Sequence, residues 1–260
     1  MLTLAFLIEI LIMLGAPVAL GVYLWRKRRL PWTLFFAGAV TFIASQVAHL
    51  PLNLGLTALF KLDWMPTPPE AWQLPFNAVV LGLTAGLCEE TARYLVYRFW
   101  IKDARTWRQA LMFGAGHGGV EAIITGLLVG ATLLSMVAMR GVDVTTLGVP
   151  ADQAAEAARQ VKEFWAMPVY MPLLAAAERL MALLLHLSLA ALVMQVFLRG
   201  RLWPLWAAIG WHGLVNAVAV FVNGTWGAAA AEASLAGLTL ISVGILWVTR
   251  RTEKESGAES

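Results

Sequence analysis

The chain has 260 residues, of which 60% are hydrophobic and only 13% are charged, and its mean hydropathy is +0.71. This composition excludes an ordinary soluble enzyme and is typical of proteins that cross a membrane several times. The net charge of +3 does not indicate a nucleic-acid partner, because the basic residues lie in short clusters between apolar segments. The sequence therefore predicts a multi-pass protein of the plasma membrane, surrounded by lipid.

Seven apolar segments follow one another along the chain, and each is long enough to cross a bilayer as a helix of about 20 residues. The segments cover residues 3–25, 31–51, 76–98, 109–139, 169–198, 202–223 and 227–249. The predicted fold is an all-α polytopic bundle of about seven spanning helices. Clusters of Arg and Lys follow the first, third, fifth and seventh segments, so the N-terminus is predicted to lie outside and the C-terminus in the cytoplasm.

The remaining segments complete the predicted domain plan. Residues 52–75 are predicted to be an outer loop, and residues 151–166 alternate Ala with charged residues as an interfacial helix does. The polar residues 251–260 are predicted to form a disordered cytoplasmic tail. Residues 1–250 therefore form one predicted membrane domain, with a candidate catalytic core at about 76–223.

Ionisable side chains inside four of the spans are the most informative feature of the sequence. A charge at mid-bilayer costs roughly 2.5–3.5 kcal/mol, so such residues usually face the bundle interior and mark a site. At about 1.5 Å per residue, Glu89 and His117 lie roughly 14 Å, His212 roughly 16 Å and His186 roughly 20 Å from the nearest basic cluster. A shared cavity is predicted at this level. His49, near the outer boundary, is left out of it.

Helical spacing indicates how the acidic residues of the third span are used. Glu89 and Arg93 are four residues apart, and Glu90 and Arg93 are three apart, so both carboxylates can reach the guanidinium. The two carboxylates point about 100° apart around the helix. One of them is therefore predicted to face the cavity while Arg93 holds the other.

Two further pairs share a helix face at a spacing of four residues. These are His117 with Glu121, and His212 with Asn216. Gly114 lies on the same stripe as His117, and the small residues there let a neighbouring backbone or a substrate approach closely. The polar faces of both helices are predicted to point into the cavity.

These residue types permit hydrolysis. A carboxylate beside a neutral imidazole can activate water as a general base. His212 and Asn216 can donate hydrogen bonds to the oxyanion that develops on a peptide carbonyl. Alternatively, His117, His186 and His212 can hold a zinc ion with an open position for water.

The polar segments resemble those of the YhfC family of intramembrane peptidases and, more distantly, of CAAX-protease and PrsW-type membrane proteases. The similarity covers about residues 84–220. It is carried by Glu89-Glu90-Thr91-Ala92-Arg93-Tyr94, by Gly114-Ala115-Gly116-His117-Gly118-Gly119-Val120-Glu121-Ala122, by Glu178-Arg179 with His186, and by residues 212–216.

The resemblance implies a catalytic role for Glu89 and a water-binding role for His117. It also implies that His212 and Asn216 stabilise the oxyanion. Glu90 stays an alternative base, because the basic residue follows the paired glutamates after two residues and not after three as in CAAX proteases.

Arg93, Glu121 and His186 are predicted to orient or ligate the reacting groups, although Glu121 and His186 have no counterpart in CAAX proteases. The resemblance to CAAX proteases favours a metal-free mechanism over a zinc-dependent one.

The sequence thus predicts an intramembrane endopeptidase that acts on a membrane protein or a lipidated peptide. Two other functions stay open at this point. The buried Glu and His residues can serve as a proton relay in a transporter or channel. The chain can also be a non-catalytic adaptor that binds another membrane segment in the groove lined by Gly114 and Gly118.

Overall fold

The computed structural model describes residues 1–143, 148 and 150–258, and this part of the chain is helical apart from short connections. The helices are α1 (Leu2–Arg28), α2 (Trp32–Lys61), α3 (Glu70–Phe99), α4 (Trp107–Ala138), α5 (Ala151–Ala166), α6 (Tyr170–Arg199), α7 (Trp203–Trp226) and α8 (Ala228–Ala258).

Seven of these helices, all except α5, are long and apolar enough to cross a membrane. The predicted all-α bundle of seven spans is therefore confirmed, while its orientation stays a prediction. The short helix α5 covers the range predicted for an interfacial helix, and the ring of its Phe164 stacks on Phe6 of α1 at 4.8 Å between centroids. The backbone of α8 is helical beyond residue 251, and the predicted domain boundaries stay predictions.

Helices α2 and α3 are longer than the sequence predicts. α2 continues through Pro51 to Lys61, and α3 begins at Glu70, so the predicted loop 52–75 shortens to residues 62–69. The segment after Pro51 stays rich in Leu, and a membrane helix tolerates proline where neighbouring helices stabilise it. The extension places Asn53 and Thr57 on α2.

Small residues let the helix backbones around the site approach closely. A Cβ atom on Gly116 of α4 would lie 1.8 Å from the carbonyl oxygen of Phe35 on α2, and one on Gly38 would lie 2.0 Å from that of Phe113. α2 and α4 therefore pack backbone to backbone, as small residues allow in membrane bundles.

The apolar core fills one side of the polar residues. Tyr97, Phe113, Met112 and Met194 are fully buried there, and the Tyr97 hydroxyl donates to the carbonyl of Ala190 at 3.2 Å. Two cavities lie toward the other end, which carries the α2–α3 and α7–α8 connections and which we call the α2–α3 end. The polar residues are thus closed off on the core side and open toward the α2–α3 end.

Candidate active site

Side chains from α3, α4, α6 and α7 meet in a buried cluster around Glu89. Oε2 of Glu89 lies 3.0 Å from Nε2 of His117 and 4.0 Å from Nε2 of His212. The ring of His186 lies 5.1 Å from that of His117 and 5.5 Å from that of His212, measured between centroids. The structure therefore brings together the four residues that the sequence places at one level.

Glu90 is fully buried and bound on both oxygens. Nη1 of Arg93 donates to Oε1 at 2.5 Å and to Oε2 at 2.7 Å, and Nδ1 of His212 lies 2.7 Å from Oε1. Glu89 instead lines a cavity, with Arg93 4.0 Å away. Of the two carboxylates, Glu89 faces the cavity and Glu90 holds Arg93 and His212 in place.

The hydrogen bonds of His186 define its tautomer. Nη2 of Arg93 lies 2.6 Å from Nδ1 of His186, and arginine only donates, so Nδ1 accepts. Nε2 therefore carries the proton and donates it to Oε2 of Glu121 at 2.6 Å. His186 is neutral and is held from both sides.

A second ion pair continues from Glu121 toward the α2–α3 end. Nη1 of Arg179 donates to Oε1 of Glu121 at 2.9 Å, and Nη2 contacts Glu178. Arg179 therefore forms an interhelical ion pair with Glu121 that ties it to the cluster. The sequence does not predict the contacts that link Arg179 through Glu121 to His186, because it shows only that these residues are polar.

The cluster borders a cavity of about 80 Å³, which is room for about three water molecules at roughly 30 Å³ each. We call it the cluster cavity. Its polar lining consists of Glu89, Glu121, Glu178, Arg179, His186, His212, Asn216, Thr239 and Ser242. Asn216 therefore shares the cavity with Glu89 and His212, as predicted from its spacing.

A pocket between α6, α7 and α8 adjoins the cluster cavity. It has a volume of about 430 Å³ and shares Glu178, Ala219 and Leu235 with the cavity. The two cavities are therefore neighbours that share a wall at Glu178.

The fifth contributing helix, α2, was not included in the predicted site. Nε2 of Gln46 lies 3.4 Å from Oε1 of Glu89, and Nδ1 of His49 lies 3.2 Å from Oε1 of Gln46. His49, which the sequence analysis leaves out, is thus two hydrogen bonds from Glu89. The signal was the spacing of Gln46, His49 and Asn53, which places all three on one face of a helix.

The glycine groove of α4 is occupied by α6 of the same chain. A Cβ atom on Gly118 would lie 2.8 Å from Cδ2 of His186, and one on Gly114 would lie 2.8 Å from the His186 carbonyl oxygen. The groove therefore seats His186 and is not open to a partner. This removes the surface on which the adaptor alternative was based.

The cluster fits a divalent metal ion. Ligand atoms of Glu89, His117 and His186 all lie within 4.8 Å of one another, and one carboxylate with two imidazoles is a donor set of catalytic zinc sites. The network contains the four carboxylates of Glu89, Glu90, Glu121 and Glu178 and the two guanidinium groups of Arg93 and Arg179, of which Glu121, Glu178 and Arg179 are partly exposed. With neutral imidazoles its net charge is about −2.

The histidine contacts agree with this fit. Nδ1 of His117 is buried without a hydrogen-bond partner among the described residues. The contact between Glu121 and His186 is the carboxylate–histidine arrangement that orients metal ligands. Nδ1 of His186 would then be the ligating nitrogen. Its hydrogen bond with Arg93 opposes the fit and would have to break for a metal to bind.

Comparison with known proteins gives a family. A family model described as YhfC intramembrane metalloprotease matches residues 10–235. A protein of Bacillus subtilis (strain 168) named uncharacterized membrane protein YhfC is 31% identical over 237 residues, which cover 90% of each chain. No solved structure matches the chain. The matched region contains every residue of the buried cluster, within a multi-pass membrane protein.

Proposed function

Because the chain belongs to the YhfC intramembrane metalloprotease family, we propose that it hydrolyses a peptide bond of a membrane protein in the cluster cavity. The observation that carries this proposal is the contact of Glu89 with His117 at 3.0 Å, on a wall of that cavity. A buried carboxylate and imidazole at this distance, in a network with excess negative charge, suit a hydrolytic metal centre.

In this proposal Glu89, His117 and His186 hold the ion, which we take to be zinc. When bound, the ion supplies Lewis-acid chemistry, which polarises a peptide carbonyl and makes water easier to deprotonate. Glu121 orients the ring of His186 through Nε2, and Gly118 leaves the space in which that ring sits. The metal-free mechanism favoured by the CAAX resemblance leaves the excess negative charge without a counterion.

His212 serves as the proton carrier. Its Nδ1–H donates to the ionised Glu90, so in the neutral ring Nε2 has a free lone pair, 4.0 Å from Oε2 of Glu89. Nε2 accepts a proton from the attacking water as the water oxygen bonds to the carbonyl carbon. It returns that proton to the leaving nitrogen as the C–N bond breaks.

This assignment changes the role that the sequence suggests for His212. A neutral His212 that donates through Nδ1 cannot also donate through Nε2 to an oxyanion. Asn216 lines the same cavity and keeps an amide N–H for the oxyanion. The two residues therefore divide between proton transfer and charge stabilisation.

In this proposal the substrate approaches through the pocket between α6, α7 and α8, which shares Glu178, Ala219 and Leu235 with the cluster cavity. A proton channel has less support, because Tyr97, Phe113 and Met194 close the core side of the cluster. A transmembrane relay needs polar groups on both sides.

The test is cleavage of a library of fluorogenic transmembrane peptides by the purified protein in proteoliposomes. We expect turnover that is lost in Glu89→Gln and in His117→Ala. Val79→Ala, an exposed residue on the same helix as Glu89, is the control and retains turnover. Undiminished turnover in both cluster variants would refute the proposal.

A further inference from the structure

A chain of four hydrogen bonds runs along the contact between α2 and α3 and ends at Glu89. Oγ1 of Thr84 lies 3.0 Å from Oδ1 of Asn53 and 2.9 Å from the carbonyl oxygen of Val80, so its one proton is shared between these acceptors. Nδ2 of Asn53 donates to Nε2 of His49 at 2.9 Å. Nδ1 of His49 then donates to Oε1 of Gln46 at 3.2 Å, and Nε2 of Gln46 donates to Oε1 of Glu89 at 3.4 Å. The donors of Asn53, His49 and Gln46 all point toward the carboxylate, so these three bonds polarise one another in one direction.

The far end of this chain opens into a pocket at the α2–α3 end. The pocket has a volume of about 410 Å³, and its polar lining consists of Asn53, Thr57, Lys61, Thr67, Gln73 and Asn77. Asn53 belongs both to the pocket and to the hydrogen-bond chain. We call the pocket and the chain together the polar seam.

The polar seam follows a large part of the length of α2. Lys61 and Gln46 are fifteen residues apart on α2, which corresponds to about 22 Å of helix. Gln46, His49 and Asn53 are each partly exposed along this length. Partly exposed amides and an imidazole at this depth are costly against lipid and keep hydrogen-bonding capacity for water.

Hydrolysis needs such a route. Each turnover consumes one water molecule, and the cluster cavity of about 80 Å³ has to accommodate the reacting part of the substrate as well. A peptide in that cavity displaces the water it contains, since the space equals only about three water molecules. Glu89 lies between the cluster cavity and the polar seam, so water from the seam reaches it on the side away from the substrate.

We propose that the polar seam is a hydrated path that supplies water from the α2–α3 end of the membrane to Glu89. The need for water rests on the proposed peptidase function, whereas the hydration of the seam does not. Gln46, His49, Asn53 and Thr84 act as positioning residues for this water and do not touch the substrate.

Cysteine accessibility tests hydration directly. Cys88, the chain's single cysteine, is first replaced by Ser, and His49→Cys and Asn53→Cys are treated with methanethiosulfonate ethylsulfonate, which is charged and needs water. The matched controls are Val47→Cys and Leu54→Cys, whose native side chains are 73% and 70% exposed and are predicted to face lipid. We expect the seam cysteines to react at least about tenfold faster than the controls.

The opposite order would overturn the proposal. Exposure alone predicts faster reaction at positions 47 and 54, so equal or slower labelling at 49 and 53 means that the seam is dry. Asn53→Cys keeps the imidazole of His49 and therefore gives an independent measurement if His49→Cys folds poorly. Both results stand whether or not the protein cleaves peptides.

Turnover tests the supply of water. Thr84→Val removes the hydroxyl at the start of the chain, and Thr249→Val, whose hydroxyl bonds only carbonyls of its own helix, is the control. We expect a lower kcat with an unchanged KM in Thr84→Val and no change in the control. A wild-type kcat in Thr84→Val, even with a labelled seam, would show that the seam does not feed the reaction.

Discussion

Nε2 of His117 lies 3.0 Å from Oε2 of Glu89, although the two residues come from different helices and both are buried in an apolar bundle. Burying an acidic group and an imidazole inside the bundle costs solvation free energy. Apolar side chains would pack the same space without that cost. The contact is therefore best explained by chemistry at this point, and the following predictions depend on it.

Glu89→Gln is expected to abolish turnover while leaving the fold intact. The amide keeps the shape of the carboxylate but not its charge, so the proposed metal site loses its one anionic ligand and turnover loses the ion on which it depends. The measurement is the cleavage rate in proteoliposomes, paired with the midpoint of thermal unfolding in detergent. A variant with both values unchanged would exclude Glu89 from the site.

Glu90→Gln is expected to lower the free energy of unfolding. Glu90 balances Arg93 in a fully buried pair, and removing one partner of such a pair costs about 3–5 kcal/mol. The matched control is Glu156→Gln, which breaks a pair of the same spacing with Arg159 on exposed α5. We expect a lower unfolding midpoint only for Glu90→Gln, and equal midpoints would mean that the buried pair does not hold the cluster.

Asn216→Leu is expected to lower kcat by about 10²–10³, which is the usual effect of losing one oxyanion donor. Its metal content should equal that of the wild type, because Asn216 is not in the ligand set. Thr225→Val, which changes an exposed polar residue of α7 whose hydroxyl bonds the Phe221 carbonyl, is the control and should retain kcat. Loss of metal in Asn216→Leu would instead make Asn216 a structural support of the metal site.

Gly118→Ala is expected to weaken metal binding. The added Cβ would lie 2.8 Å from the ring of His186 and would displace it, and disturbed ligand support typically costs roughly 10–100-fold in metal affinity. Gly210→Ala is the control, since a Cβ there meets nothing within 4 Å. Metal titration of both variants measures the difference, and equal affinities would contradict the role of His186 as a ligand.

The convergence of the cluster was predictable because residue counts along spanning helices fix depth. Glu89, His117, His186 and His212 lie at similar distances from basic boundaries that the sequence itself marks. Likewise, the spacing of Arg93 showed that it would hold one of the paired glutamates. Periodicity and depth are local properties of a helix, so a single sequence contains them.

The contacts between side chains of different helices depend on how each helix is rotated about its axis relative to its neighbours. This rotation is set by packing across the bundle and is not visible in the sequence of one helix. Nothing in the sequence shows that Glu90 meets His212, or that Arg93 meets His186. The sequence predicts a span that ends at Pro51, whereas the proline lies within a continuous helix. The residues of the polar seam beyond position 51 therefore fall outside the predicted span. The neighbours that stabilise that helix are distant in the chain.

Metal content of the purified protein tests the central claim most directly. We expect about one zinc ion per chain in the wild type, the number that a His₂Glu site holds, and loss of that ion in His117→Ala. His49→Ala, which changes an imidazole outside the ligand set, should retain it. Equal metal content in His117→Ala and the wild type, or full turnover by metal-free protein, would contradict the account.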